Sequence, residues 1–409
     1  MGPTFGRRKL RLGVVGVGTA GIVTISHLIP WLSNNWDVIS IHDPSMPILG
    51  IGESTNPNML TSIQQGMGFE EITDLKELEG TLKFGTRYIG WRKEDWVNPL
   101  FGGGHAIHFN NFKLKELGYK KFKELWPEKF KVLEGNVGNI TNGFQCANVK
   151  INGVTESFDY VIDCRGFPED YSDYHMSDCS PLNKCFVHNV EPHITDQFPC
   201  TEHIATNHGW TFGIPLTTRH TYGYLFNSNI TSDEEAISDL NEKFSANVSK
   251  EDLGVYEFKS YYANKILDGR ILKNGNRALF FEPLSASSIW CYVGIAEMFA
   301  HHLEDPSKYD TAFMNTNFVQ MARSLEDMLS FLYHGGTNYD TEFWRFAKTK
   351  ALDRLSKSNA FRNTITAYKQ NAARGTPLFG DPWFFTPHSL RIIDKKMEYN
   401  YFKEDENTN

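Results

Sequence analysis

Gly16, Gly18 and Gly21 directly follow an apolar run, Leu10 to Val15, and directly precede another, Ile22 to Leu32. Strand, glycine turn and helix in that order are what a dinucleotide site requires. The glycines permit the tight turn and, with Thr19 and Ala20, let backbone N–H groups at the helix start face a pyrophosphate. Val38 to His42 reads as the second strand, and Asp43 at its end is placed to bond an adenosine ribose. A second set, Ser287-Ser288-Ile289, precedes or opens an apolar helical stretch, Trp290 to Leu303. Backbone N–H groups at a helix start attract an anion, and serines there can either help to hold it or cap the helix.

These groups need a large scaffold, and 409 residues supply one. The expected fold class is α/β: a Rossmann-like dinucleotide-binding domain intimately joined to a sheet and helical substrate region. The body is expected over residues 1–350, with a partly helical segment over 351–409 that ends in a disordered acidic tail. Asn152-Gly153 between two β-rich runs signals a hairpin, Ser232 to Glu235 reads as a capping box, and Ala312 to Tyr333 as a helix closed by Gly335-Gly336.

A net charge of −8 gives no reason to expect nucleic acid or an anionic membrane as partner. The six cysteines form no C-x-x-C pair and no Cys/His ligand spacing, so no metal site or disulfide framework is indicated, and a cytoplasmic location is expected. Arg7-Arg8-Lys9 before the first apolar run mimics an export signal, but glycines at 13, 16, 18 and 21 break that run as a strand, turn and helix would.

Five further motifs, in order along the chain, carry a resemblance. They are Gly50-Ile51-Gly52-Glu53-Ser54-Thr55-Asn56-Pro57, Leu82-Lys83-Phe84-Gly85 through Trp91-Arg92-Lys93, Phe158 to Gly166, Gly209-Trp210-Thr211-Phe212-Gly213-Ile214-Pro215, and Phe280 to Ile289. The chain resembles the flavin-dependent tryptophan halogenases, whose corresponding segments read Gly-x-Gly-Glu-Ala-Thr-x-Pro, Phe-Ile-Asp-Cys-Ser-Gly, Trp-x-Trp-x-Ile-Pro and Glu-Pro-Leu-Glu-Ser-Thr-Gly-Ile. The resemblance covers roughly residues 10–350 and implies that the Rossmann-like domain is an FAD-binding one of the flavin monooxygenase type.

It implies an enzyme that uses reduced FAD (FADH2), O2 and a halide ion to form hypohalous acid and halogenate a small aromatic substrate. It implies FAD contacts from the first glycine turn and from Gly52, Glu53, Ser54, Thr55 and Ile289, and a halide held by Ser287 and Ser288. Trp210, Phe212, Ile214 and Pro215 would wall the flavin off from the organic substrate. Lys83 would hold hypohalous acid by a hydrogen bond or accept halogen as a haloamine; burial would favour the neutral amine that the second role needs. The chain carries no second nucleotide motif for nicotinamide, so a separate flavin reductase is implied. An assembly of identical chains is left open.

Three departures matter. The family's catalytic glutamate is Ser285 here, so a hydroxyl stands where a carboxylate is expected, and Glu282 sits three residues away. The family's ribose acid falls at His42. The connection from Trp91 to His105 is much shorter than in tryptophan-specific relatives, which implies a more open site and broader acceptance of electron-rich aromatics. An aromatic flavin hydroxylase would share the first glycine motif, but the Asp-Gly and Gly-Asp signatures of that class are replaced by Asp163-Cys164-Arg165-Gly166 and Asn276-Arg277-Ala278-Leu279. A non-catalytic flavin-binding protein is the third reading.

Overall fold

The computed structural model describes residues 8–48, 53–91, 93–100, 104–192, 199–359 and 361–363. Its first layer is a six-stranded sheet in the order Leu267–Asp268, Ile271–Lys273, Tyr160–Asp163, Leu10–Val15, Trp36–His42, Phe130–Glu134. All pairs are parallel except the edge hairpin of the first two. Parallel strands are covered on both faces and read as continuous apolar runs, as Leu12, Val14, Val38 and Ile162 do, each buried. Helices Thr19–Leu28 and Ser287–Glu304 pack together over this sheet.

The second layer has seven strands in the order Gly254–Glu257, Lys184–Val190, His220–Phe226, Gly209–Pro215, Thr201–Thr206, Gly85–Ile89, Trp96–Pro99. It is antiparallel apart from the pairing of Thr201–Thr206 with Gly85–Ile89. In a small antiparallel sheet Ala106–Phe109 is flanked by Glu53–Ser54 and Thr81–Lys83. The short connection after Trp91 is thus a hairpin, Gly85–Ile89 with Trp96–Pro99, whose turn is closed by the Gly90 N–H donating to Asp95 Oδ1 at 2.9 Å.

Local expectations map closely onto this architecture. Asn152 and Gly153, with φ of 49° and 82°, join the paired strands Ala147–Ile151 and Val154–Phe158. Ser232 and Glu235 cap Asp233–Phe244 reciprocally. The long helix runs Thr311–His334. Two boundaries differ. The helix expected from Trp290 begins at Ser287, and helix Glu342–Lys357 runs through the expected division at residue 350. That helix is tied to the body: the Trp344 indole donates to Thr206 O at 2.8 Å, and Arg354 bridges Glu326 at 2.7 Å and Asp327 at 3.2 Å. The expected acidic tail lies outside the described residues. No described helix is long and apolar enough to cross a membrane.

Candidate active site

The glycine turn has the sterics of a dinucleotide cradle. Gly16 adopts φ 104°, and a Cβ there would lie 2.5 Å from Cys164 O, so only glycine permits the turn beside strand Tyr160–Asp163. A Cβ on Gly21 would stand 2.0 Å from Gly16 O, which makes it the close-packing glycine between helix and strand. A Cβ on Gly18 would meet nothing within 4 Å. Gly18 therefore borders open space at the N-terminus of helix Thr19–Leu28, which has no side-chain cap. Uncapped N–H groups and room for a bulky anion fit the pyrophosphate of FAD.

Asp43 ends strand Trp36–His42, and its carboxylate accepts hydrogen bonds from Ser45 and Asn136. His42, at the family's acid position, is buried against Lys115 and Tyr119. Of the two, only the position of Asp43 faces solvent. Gly52 lies outside the described residues.

A cavity of about 210 Å³ is bordered by Glu53, Ser54, Lys83, Phe212, Ser288 and Ile289, among others. Residues from four distant stretches of sequence thus meet at one space. Thr19 Oγ1 donates to Glu53 Oε1 at 3.2 Å, which joins the glycine turn to the cavity wall, and burial lifts the Glu53 carboxyl to about 7.

Lys83 ends the strand Thr81–Lys83 and is 3% exposed. Its Nζ donates to Ser54 Oγ at 2.8 Å and to Thr55 O at 2.8 Å, two neutral acceptors. Burial without a carboxylate to hold the charge lowers its pKa to about 7, against an ordinary 10.5. Half the amine is then neutral at about pH 7, where a solvated lysine has about one part in a few thousand.

Helix Ser287–Glu304 begins with Ala286 in the left-handed region, φ 52°, and again no side chain caps it. Ser287 and Ser288 occupy its first turn rather than capping it. Ser287 is buried, and Ser288 and Ile289 border the cavity. An uncapped first turn, entered through a strained non-glycine residue, leaves amide donors that could meet an anion. Ser285 falls in the preceding 3-10 turn, Leu284–Ala286. Glu282 does not replace the family glutamate. It is fully buried behind the cavity wall, where its Oε1 accepts from the Tyr333 hydroxyl at 2.6 Å, and burial raises its carboxyl to about 7.

The aromatic segment divides by depth. Phe212 and Ile214 border the cavity. Trp210 is fully buried behind them, its indole donating to Tyr333 Oη at 2.9 Å, so it supports the wall rather than facing the space. Pro215 contributes its carbonyl, which accepts from Thr81 Oγ1 at 2.7 Å. Gly223 pairs with Phe212 across the sheet, and a Cβ there would lie 2.0 Å from the Phe212 ring. The ring rests on the glycine, which fixes its orientation.

Sequence reasoning missed His108, Thr201, Tyr292 and Asn276. The Tyr292 hydroxyl donates to Asn276 Oδ1 at 2.7 Å at the cavity edge. His108 and Thr201 belong to a buried hydrogen-bonded row beside Lys83. The only available signal for His108 was its alternation with Ala106 on an apolar strand, which a core histidine shares. Among the described residues no group of three or more His, Cys, Asp or Glu is placed to hold a metal.

A family model described as tryptophan halogenase matches residues 11–150 and 131–386. The chain belongs to the tryptophan halogenase family. The match continues past residue 350, where the motifs became unrecognisable. Among curated relatives, tryptophan 7-halogenase RebH of Lentzea aerocolonigenes is 24% identical over 90% of this chain and 83% of its own length. Tryptophan 6-halogenase ThaL of Streptomyces albogriseolus is 20% identical over 91% and 84%. The tryptophan halogenase of Shewanella frigidimarina has the same fold, with a TM-score of 0.78 at 17% identity over 96% of this chain and 90% of that one. The flavin-dependent halogenase BrvH of Brevundimonas gives 0.78 at 16% identity over 96% and 90%. As a member of this family the protein is a flavin-dependent enzyme.

Proposed function

We propose that the protein oxidises halide with reduced FAD and O2 to hypohalous acid and uses Lys83 to deliver the halogen to electron-rich aromatic substrates. When bound, the reduced flavin and O2 supply the two-electron oxidation. The chain's own residues then act on the product. Ser287, Ser288 and the uncapped first turn hold halide at the flavin side, while Phe212 and Ile214, backed by Trp210, keep the organic substrate from that side. Lys83 receives hypohalous acid. Its ammonium form can hydrogen-bond the hypohalous oxygen and pass it a proton, so that O–X breaks as the ring attacks X, the oxygen leaves as water, and the ring proton returns to the amine. Its neutral form can take X with loss of water and pass it on.

The observation that carries this reading is a buried amine with no carboxylate partner, on the same cavity as the uncapped helix start and the Phe212 wall. A solvated lysine would favour none of these roles. With Ser285 in place of a positioning carboxylate and a hairpin in place of a long insertion, substrate orientation contributes less, and ring nucleophilicity governs the outcome. Bromide and iodide, more easily oxidised, are preferred to chloride. A separate reductase supplies FADH2.

The test is a competition among phenols, indoles and anilines with equimolar chloride, bromide and iodide, supplied with reduced flavin and O2 and read by mass spectrometry. Brominated or iodinated products from several ring classes are expected. A single tryptophan regioisomer or a preference for chloride would refute the open-site part, and hydroxylated products would refute halogenation.

A further inference from the structure

Lys83 Nζ has three directions besides its bond to Cε. Ser54 Oγ and Thr55 O occupy two of them, which leaves the third for the cavity that Lys83 borders. In the neutral amine one direction carries the lone pair, and Ser54 decides which: its single proton either points away, leaving its oxygen to accept from Lys83, or points at the amine and occupies the lone pair. The answer lies further along the row.

Pro215 O can only accept, and it accepts from Thr81 Oγ1 at 2.7 Å. Thr81 has no second proton, so its oxygen accepts from His108 Nδ1–H at 2.9 Å. A neutral imidazole protonated on Nδ1 offers a lone pair at Nε2, which accepts from Thr201 Oγ1–H at 2.9 Å. Thr201 then accepts from Ser54 O–H at 2.5 Å, and Ser54 accepts from Lys83. Every bond in the row has one direction, set from the carbonyl end.

We propose that His108 is a positioning residue that, through Thr201 and Ser54, obliges neutral Lys83 to donate to Ser54 and to turn its lone pair into the cavity. Cross-strand register puts these groups in line: Ser54 and Thr81 both pair with His108, and Lys83 shares a face with Thr81 two residues away. His108 is fully buried, and its pKa is held well below the ordinary range by burial and by the neighbouring Lys83 and His220, which keeps it a neutral acceptor. His220 lies 3.4 Å from Glu202, and Cys200 is the other titratable neighbour of Lys83. Ser54 stands where the family loop has alanine, so the row belongs to this sequence and alanine could not reverse it. The proposal rests on Lys83 being the amine that meets the halogenating species.

The test is carbamylation by cyanate, in which isocyanic acid adds across the N–H of a neutral amine to give a urea, followed at the Lys83 peptide by mass spectrometry from pH 6 to 9. Rates are divided by the concentration of isocyanic acid, which falls as cyanate deprotonates; the high-pH plateau of the resulting second-order constant reads lone-pair access, and its midpoint reads the pKa. Thr201→Val removes the acceptor for Ser54, whose proton turns to the amine, and should lower the plateau by about tenfold or more. His108→Phe should lower it in the same direction, and Thr201→Ser should keep the parent rate. Ser54→Ala added to Thr201→Val removes the offending proton and should restore the plateau to within about threefold of the parent. A merely structural role for Thr201 gives no such rescue. Two independent cuts, each checked by circular dichroism and FAD titration, guard against one misfolded variant. A parent-like plateau in folded Thr201→Val or His108→Phe, or no rescue by Ser54→Ala, overturns the proposal. The assay uses no halide or reduced flavin, so absence of halogenated product from the parent would refute the function while leaving the row intact.

Discussion

The glycine cradle and the lysine chamber are made in opposite ways. The cradle is one contiguous turn, Gly16 to Gly21, whose fitness lies in missing atoms: a Cβ excluded at Gly16 and Gly21, and open space left at Gly18. The chamber is assembled from strands Glu53–Ser54, Thr81–Lys83, Ala106–Phe109 and Thr201–Thr206, and its fitness lies in present atoms that are withdrawn from water. A backbone site tolerates change wherever its glycines remain. A desolvated amine depends on every neighbour that excludes water and on every proton in the row that holds it.

The comparison breaks most sharply at Lys83. Lys83→Ala should lower halogenation by about a thousandfold or more while FAD affinity and oxygen-dependent flavin oxidation stay near the parent values. Turnover retained within tenfold would mean that the chamber has no chemical role. The converse is Gly18→Val, whose side chain would enter the space next to the uncapped helix. FAD affinity should fall by about a hundredfold, with Lys83 carbamylation unchanged; equal affinity by titration would make the turn a packing device only.

A smaller effect should come from pH. The Lys83 pKa is lowered, so the neutral form is gained as pH rises through about 7. If neutral amine carries the halogen, single-turnover transfer should increase about tenfold between pH 6 and 8; a decrease would assign the work to the ammonium form. The smallest effect is expected at the wall. Gly223→Ala should displace the Phe212 ring and raise uncoupled peroxide release or substrate hydroxylation by about two- to fivefold, as should Phe212→Ala. Unchanged coupling in both variants would remove Phe212 from the partition.

Sequence determined what depends on near neighbours along the chain. Glycine spacing, the Asn152-Gly153 turn and the Ser232 capping box are set by backbone conformation within a few residues, and each was legible. The start of helix Ser287–Glu304 was not, because Ala286 enters it through a left-handed conformation that no propensity of alanine predicts, and this placed the two serines inside the first turn. Trp210 and Phe212 alternate identically in sequence, yet only the packing of Tyr333 and Glu282 behind one and of Gly223 beneath the other sorts support from wall. The lowered pKa of Lys83 and the single direction of the row through His108 were decided by tertiary structure alone. Desolvation is the summed effect of atoms from distant segments, and a hydroxyl's proton points where the last acceptor in its chain requires.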